Sequence, residues 1–186
     1  IVEPAHFNDT PPHIIATVTG DFVDPEAFAY DAQMSAEEWS YRGVPLQRAS
    51  ATLQLRHSQL DVQNLILVRP EGQLRGTLLA DFDRHRVNFD IHTTANPTRL
   101  APLLGEKAGR TMSNYRFGSN TVAQARGLVD FDHPGETTWS AEVANDAFAT
   151  WRFKIAHVDA QLTFTNETLR INGTSTGVSW WKLTAD

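Results

Sequence analysis

Two acidic triplets have the residue types and spacing best suited to chemistry. Asp81 and Asp83 precede His85, and Asp130 and Asp132 precede His133. Residues two apart on a strand share one face, so each Asp pair is spaced to chelate a hard cation or to work as acid and base. The same pattern also arises where a strand runs into a turn, because Asp and His solubilise the strand end and start the turn. Arg84-His85 and Asp132-His133-Pro134-Gly135 carry such turn signals, so the turn reading is preferred. His57 also falls in a turn, and no His-x-His or His-Glu-x-x-His spacing exists. Ser, His and Asp are present without a Gly-x-Ser-x-Gly elbow, and phosphate-binding glycine loops are absent. Neither an enzyme nor a metal or other cofactor is expected. Only Asp81 and Asp130 meeting in one cleft beside a His would restore a catalytic reading.

Trp39, Tyr41, Trp139, Trp151, Trp180 and Trp181 are the other residues with recognition chemistry. Aromatic rings stack on sugars, but they more often fill a core or line a trough. Trp180 and Trp181 are neighbours, so on a strand they point to opposite faces and one of them is exposed.

The elements that must carry these residues are strands. Ala49, Ala51, Leu53 and Leu55 alternate with polar residues, and Leu60 and Val62 follow after a short turn. Leu74, Gly76, Leu78, Ala80 and Phe82 form the next apolar series, then Val87, Phe89 and Ile91. Further on come Ala123, Ala125, Gly127, Val129 and Phe131, then Trp139, Ala141 and Val143, then Phe153 and Ile155. Ala160, Leu162 and Phe164 form a hairpin with Leu169 and Ile171. Asn96-Pro97 opens one helix near 97–106, with Leu100, Leu103 and Leu104 as its stripe and Gly105 or Gly109 as its stop. Asp24-Pro25-Glu26-Ala27-Phe28 is a weaker candidate for a single helical turn. Short loops between alternating strands predict antiparallel neighbours.

The chain also repeats itself. Val44–Gln63 slides 109 places, without a gap, onto Phe153–Asn172. Leu53 meets Leu162, Leu60 meets Leu169, and the turn His57–Gln59 meets Asn166–Thr168. Tyr30–Met34 lies over Trp139–Val143, and Gly20 lies over Gly127 with a shift of two. The repeat units run approximately 14–118 and 119–186, the second reaching only the middle of the first. The expectation is a single fragment, 1–186, of a larger array.

The chain has 186 residues, 41% hydrophobic and 20% charged, which suits a folded domain rather than a disordered one. A formal net charge of −6 gives nucleic acid no basic face to bind. The absence of Cys excludes a disulfide framework and thiolate chemistry. No apolar run is long enough to span a bilayer as a helix.

Taken together, these strands predict an all-β sheet, apolar on one side, which one short helix is too small to cover. The sheet must then close as a sandwich or barrel, or curl into an open trough. The many Ala and Gly on the apolar side favour strong curvature, while equally suiting positions packed under a facing layer.

The stretch RASATLQLRHSQLDVQNLILVRPEGQLRGTLLADFD resembles the repeat of the AsmA-like family, which includes the TamB-like and YhdP-like envelope proteins. The family pattern Leu-x-Leu-x-x-Leu, then Gly-x-Leu-x-Gly and an acidic end, falls here on Leu60–Val68, then Gly72, Leu74 and Gly76, then Asp81. The helix NPTRLAPLLG and the following ARGLVDFDHPGETTWSAEV also fit, so that the likeness covers most of 14–186. A departure is Gly173-Thr174-Ser175-Thr176-Gly177, where a clean Gly-x-Leu-x-Gly strand would sit. The resemblance implies a strongly curved antiparallel trough of amphipathic hairpins in the Gram-negative periplasm, anchored to the inner membrane in the full-length protein. It would conduct phospholipid acyl chains between the two membranes, with further repeats of the same chain as neighbours. The lining would be Leu53, Leu55, Leu60, Val62, Leu74, Leu78, Phe82, Val87, Phe89 and Ile91 from the first unit. The second would add Val129, Phe131, Trp139, Val143, Phe153, Ile155, Leu162, Phe164, Leu169 and Ile171. The alternative is a closed β-sandwich scaffold or binding module of a surface protein, with an exposed aromatic pair for glycans.

Overall fold

The computed structural model describes residues 5–8, 10–21, 24–118, 120–150 and 153–180. They form one antiparallel sheet of twelve strands. The strands are β1 (His6–Phe7), β2 (His13–Asp21), β3 (Asp24–Tyr41), β4 (Val44–Arg56), β5 (Gln59–Arg69) and β6 (Gly72–Asp81). They continue as β7 (Arg86–Thr93), β8 (Tyr115–Arg116), β9 (Val122–Asp130), β10 (Thr138–Thr150), β11 (Phe153–Thr165) and β12 (Thr168–Trp180). The spatial order is β1-β3-β4-β5-β6-β7-β9-β10-β11-β12, with β2 also on β3 and β8 also on β10. From β2 to β7 and from β9 to β12 successive strands are neighbours, as short turns between alternating segments dictate.

Residues 94–121 interrupt this meander. Asn96 caps α1 (Pro97–Leu100) by accepting the Thr98 N–H at 3.0 Å, as its sequence position predicts. A 3-10 turn over Ala101–Leu104 follows, Gly105 breaks the axis, and α2 (Glu106–Met112) resumes with Gly109 inside it. The segment sits at the end of the sheet that holds the β3–β4 turn, where Arg42 Nη1 donates to the Leu103 carbonyl at 3.2 Å. Most of the core lies there: Val44, Leu46, Ala95, Leu100 and Ala101 are buried, together with Asn145 and Thr121. Elsewhere the described sheet is one layer thick.

Three expectations are corrected. The sheet is flat and open, neither strongly curved nor closed, and its edges at β1–β2 and β12 do not meet. The small residues seat large neighbours instead of bending the sheet. A Cβ on Gly127 would lie 2.4 Å from the Trp139 Cβ, and one on Gly76 would lie 2.8 Å from the Ile91 side chain. Gly127 thus leaves room for the close approach of Trp139 on the paired strand. The sandwich alternative fails with the trough, because among the described residues no second sheet packs on the first. Finally, Asp24–Phe28 is strand rather than helix, drawn into β3 by pairing that begins at Asp21 with Asp24.

Candidate functional site

Cross-strand partners share a face, so the ladders assign every side chain. One row runs Ala32, Leu53, Val62, Leu78, Phe89, Gly127, Trp139, Phe164, Leu169. The row on one side of it holds Leu55, Leu60, Ala80, Val87 and Val129. On the other side, Ile91, Ala125, Ala141, Leu162 and Ile171 align, and beyond them Leu74 and Val143. The structure therefore gathers most of the sequence-predicted lining onto one face. Trp139 and Phe164 stack on it with ring centroids 5.7 Å apart and planes 9° apart.

Phe82 and Phe131 stand apart, in the turns that follow β6 and β9, 52% and 65% exposed. Phe153 joins the ladder opposite Trp180, and Ile155 lies on the apolar side beyond a reversal at Ala147. Trp151 and Trp181 lie outside the described residues. Sequence alternation misses Val44 and Leu46, both buried, and also Leu65 and Leu67. Leu65 and Leu67 reach the apolar face because Asn64 (φ 52°) inserts an extra residue into β5. Phe7 stacks on Trp39 at 5.6 Å, and the Trp39 Nε1 is buried without a hydrogen-bond partner.

The opposite face is polar. Its rows include Asp31, Gln54 and Asp61, then Thr77, Asp90, Arg126 and Ser140. Three shallow, open depressions lie chiefly on this side. One is bordered by His92, Gln124, Glu142, Asp159 and Asn172, another by Asp61, Thr77, Asn88 and Arg126, and the third by His13, Gln33, Ser35 and Thr52.

The two acidic triplets meet at the turn end of the sheet. Asp81 accepts the Arg84 N–H at 3.0 Å and the Gln59 amide at 3.1 Å, which hold its carboxyl below the ordinary range. Asp130 is buried; burial pushes its pKa up, but the N–H groups of His133 and Asp132 and the Arg86 guanidinium outweigh this and lower it. Arg86 also pairs with Glu136. His85 Nδ1 lies 2.7 Å from Asp132 Oδ2, and that hydrogen bond raises the imidazole pKa. Arg86 stands between Asp81 and Asp130 in the ladder. Asp81 and Asp130 thus tie off turns. Among the described residues no group of three or more His, Cys, Asp or Glu is placed to hold a metal ion.

The acyl-conducting trough is overturned at this point. A conduit needs walls on either side of the chain it carries, and the apolar face is an open plane with its ends unjoined. No helix among the described residues is long and apolar enough to cross a membrane. Compared with protein-family models, curated proteins and solved structures, the chain matches none.

Proposed function

We propose that this chain is a non-catalytic structural segment whose flat apolar face docks onto another apolar protein layer. The observation that carries this reading is the uninterrupted apolar row from Leu53 to Phe164 on a sheet whose other face is polar. A plane of this width is best complemented by a second plane. Stacked sheets meet at about 10 Å and bury both apolar faces, whereas an acyl chain lying on a flat sheet stays half in water. The likeness to AsmA-like repeats supports an envelope setting, with the periplasm as the compartment, and rests on sequence alone. Further copies of the same amphipathic unit are the partner layer of matching chemistry.

The test is oligomeric state by light scattering over a concentration series, with lipid extraction of the same sample. Self-association that Phe89→Lys abolishes and Asn88→Lys leaves intact is the expected result, since these neighbours point to opposite faces. A monomer at about 100 μM, roughly a hundred times the micromolar range of ordinary specific contacts, would sink the proposal. So would stoichiometric phospholipid in the extract.

A further inference from the structure

The two halves of the sheet place the same strands 109 residues apart. β1 (His6–Phe7) recurs as β8 (Tyr115–Arg116), β2 (His13–Asp21) as β9 (Val122–Asp130), and β4 (Val44–Arg56) as β11 (Phe153–Thr165). β5 starts at Gln59 and β12 at Thr168. Backbone in the left-handed region recurs at the same offset, at Glu38 and Ala147, and at His57-Ser58 and Asn166-Glu167.

Equivalent strands differ in what lies beside them. β5 is paired on both sides, by β4 and β6, while among the described residues its counterpart β12 has β11 alone. β9 has β7 at its outer side, while among the described residues its counterpart β2 has only β3. Exposure follows. Val62 is 8% exposed beside β6, and Ile171, at the same place in β12, is 62% exposed. β12 is thirteen residues long and carries no Pro and a single charged residue, Arg170, so that it has little of what usually blunts a sheet edge.

We infer that the free edge of β12 is a seat for an antiparallel β-hairpin of the β6–β7 kind, as β5 seats β6 within this molecule. The register follows from the equivalence. Ile171 faces a Leu at the place of Leu78 and Leu169 faces a small apolar residue at the place of Ala80; because β12 lacks the extra residue that Asn64 inserts into β5, Gly173 faces a Gly at the place of Gly76. That Gly specifies a hairpin rather than a lone strand. A Cβ on Gly76 would lie 2.3 Å from the Asp90 carbonyl oxygen of β7, so the glycine is required where a β7-type strand follows. The far side of the same hairpin fits β2, since β7 already pairs with its equivalent β9. One hairpin type thus serves both edges, by strand addition. This inference concerns the edges of the sheet and is independent of what covers its apolar face.

The experiment adds a synthetic peptide of residues 72–93 to the whole chain and follows backbone amide exchange. At millimolar peptide, exchange in Thr168–Thr176 is expected to slow at least about tenfold, with similar slowing in β2 and none in β4 to β7. A peptide with Leu78→Lys should lose the effect, and this change cannot unfold the chain itself. Unchanged exchange at β12, or equal slowing by the Leu78→Lys peptide, would overturn the proposal. Slow exchange at β12 without peptide that is lost on dilution would also overturn it, because the edge would then be taken by a second copy.

Discussion

Asn145 ties the helical connection to the sheet. Its side chain is 1% exposed, donates to Thr121 Oγ1 at 2.6 Å and accepts the Gly118 N–H at 3.4 Å. Asn145→Ala strands both partners in a buried place and should cost about 1–3 kcal/mol, measured by urea unfolding. His157 is set between two carboxylates, with Nδ1 2.6 Å from Asp146 and Nε2 2.9 Å from Asp159. Both hydrogen bonds favour the imidazolium, that of Asp146 first, and raise the His157 pKa; His157 in turn lowers that of Asp146. A raised folded pKa stabilises fully below the unfolded value of about 6.5 and less as the pH climbs through the folded value. Asp146 acts in the opposite sense, stabilising above its unfolded pKa and losing its contribution as the pH falls through the folded one. The melting temperature should therefore drop as the pH climbs above about 6.5, with His85 contributing in the same direction. His157→Gln should flatten that decline, and an unchanged slope would show that His157 plays no part. The sequence placed Asp81, Asp130 and their histidines at turns. It held no sign of His157, whose partner Asp146 comes from the neighbouring strand.

At the scale of elements, two hairpins contain a reversal that pattern reading misses. Glu38 (φ 47°) and Ala147 (φ 59°) adopt left-handed backbone while the register stays intact, Glu37 with Arg48 and Trp39 with Leu46, Asp146 with His157 and Phe148 with Ile155. In β4 the buried positions change from Val44 and Leu46 to Ala49 and Ala51, with Gln47 and Arg48 both exposed between them. The apolar stripe thus changes parity within one strand. An L-residue in this conformation is disfavoured by about 1–2 kcal/mol, partly offset in glycine by greater unfolded-state freedom. Ala147→Gly should accordingly stabilise the protein by up to about 1 kcal/mol, and Ala147→Val should destabilise it, both read from the denaturation midpoint. Strand identity, hairpin turns and the Asn96 cap were legible because each depends on a few adjacent residues. The bulge at Asn64 and the reversals were not, because they arise where two strands must keep one register.

The whole molecule is a sheet with a core at one end. The helical connection buries Leu100 and Ala101 against the end that holds Val44 and Leu46, while β2 and β12 each lack a neighbour on one side. Amide exchange should follow this arrangement. Amides of β4 to β7 are expected to exchange slowest, and those of β2 and the outer half of β12 fastest, by several orders of magnitude. Uniform protection across all strands would show that some further layer or partner covers the edges. Leu100→Ala should cost about 2–5 kcal/mol and speed exchange first at the end of the sheet near the connection.

By itself the sequence determined most strands from Ala49 onward and the apolar side of their regular stretches, where the one helical segment begins, and that like segments recur along the chain. These are local properties, set by alternation, turn chemistry and capping. Whether twelve such strands would curl, close or lie flat was decided only in three dimensions. It depends on contacts between strands far apart in the chain, and small residues look the same in a sequence whether they bend a sheet or make room for a neighbouring side chain.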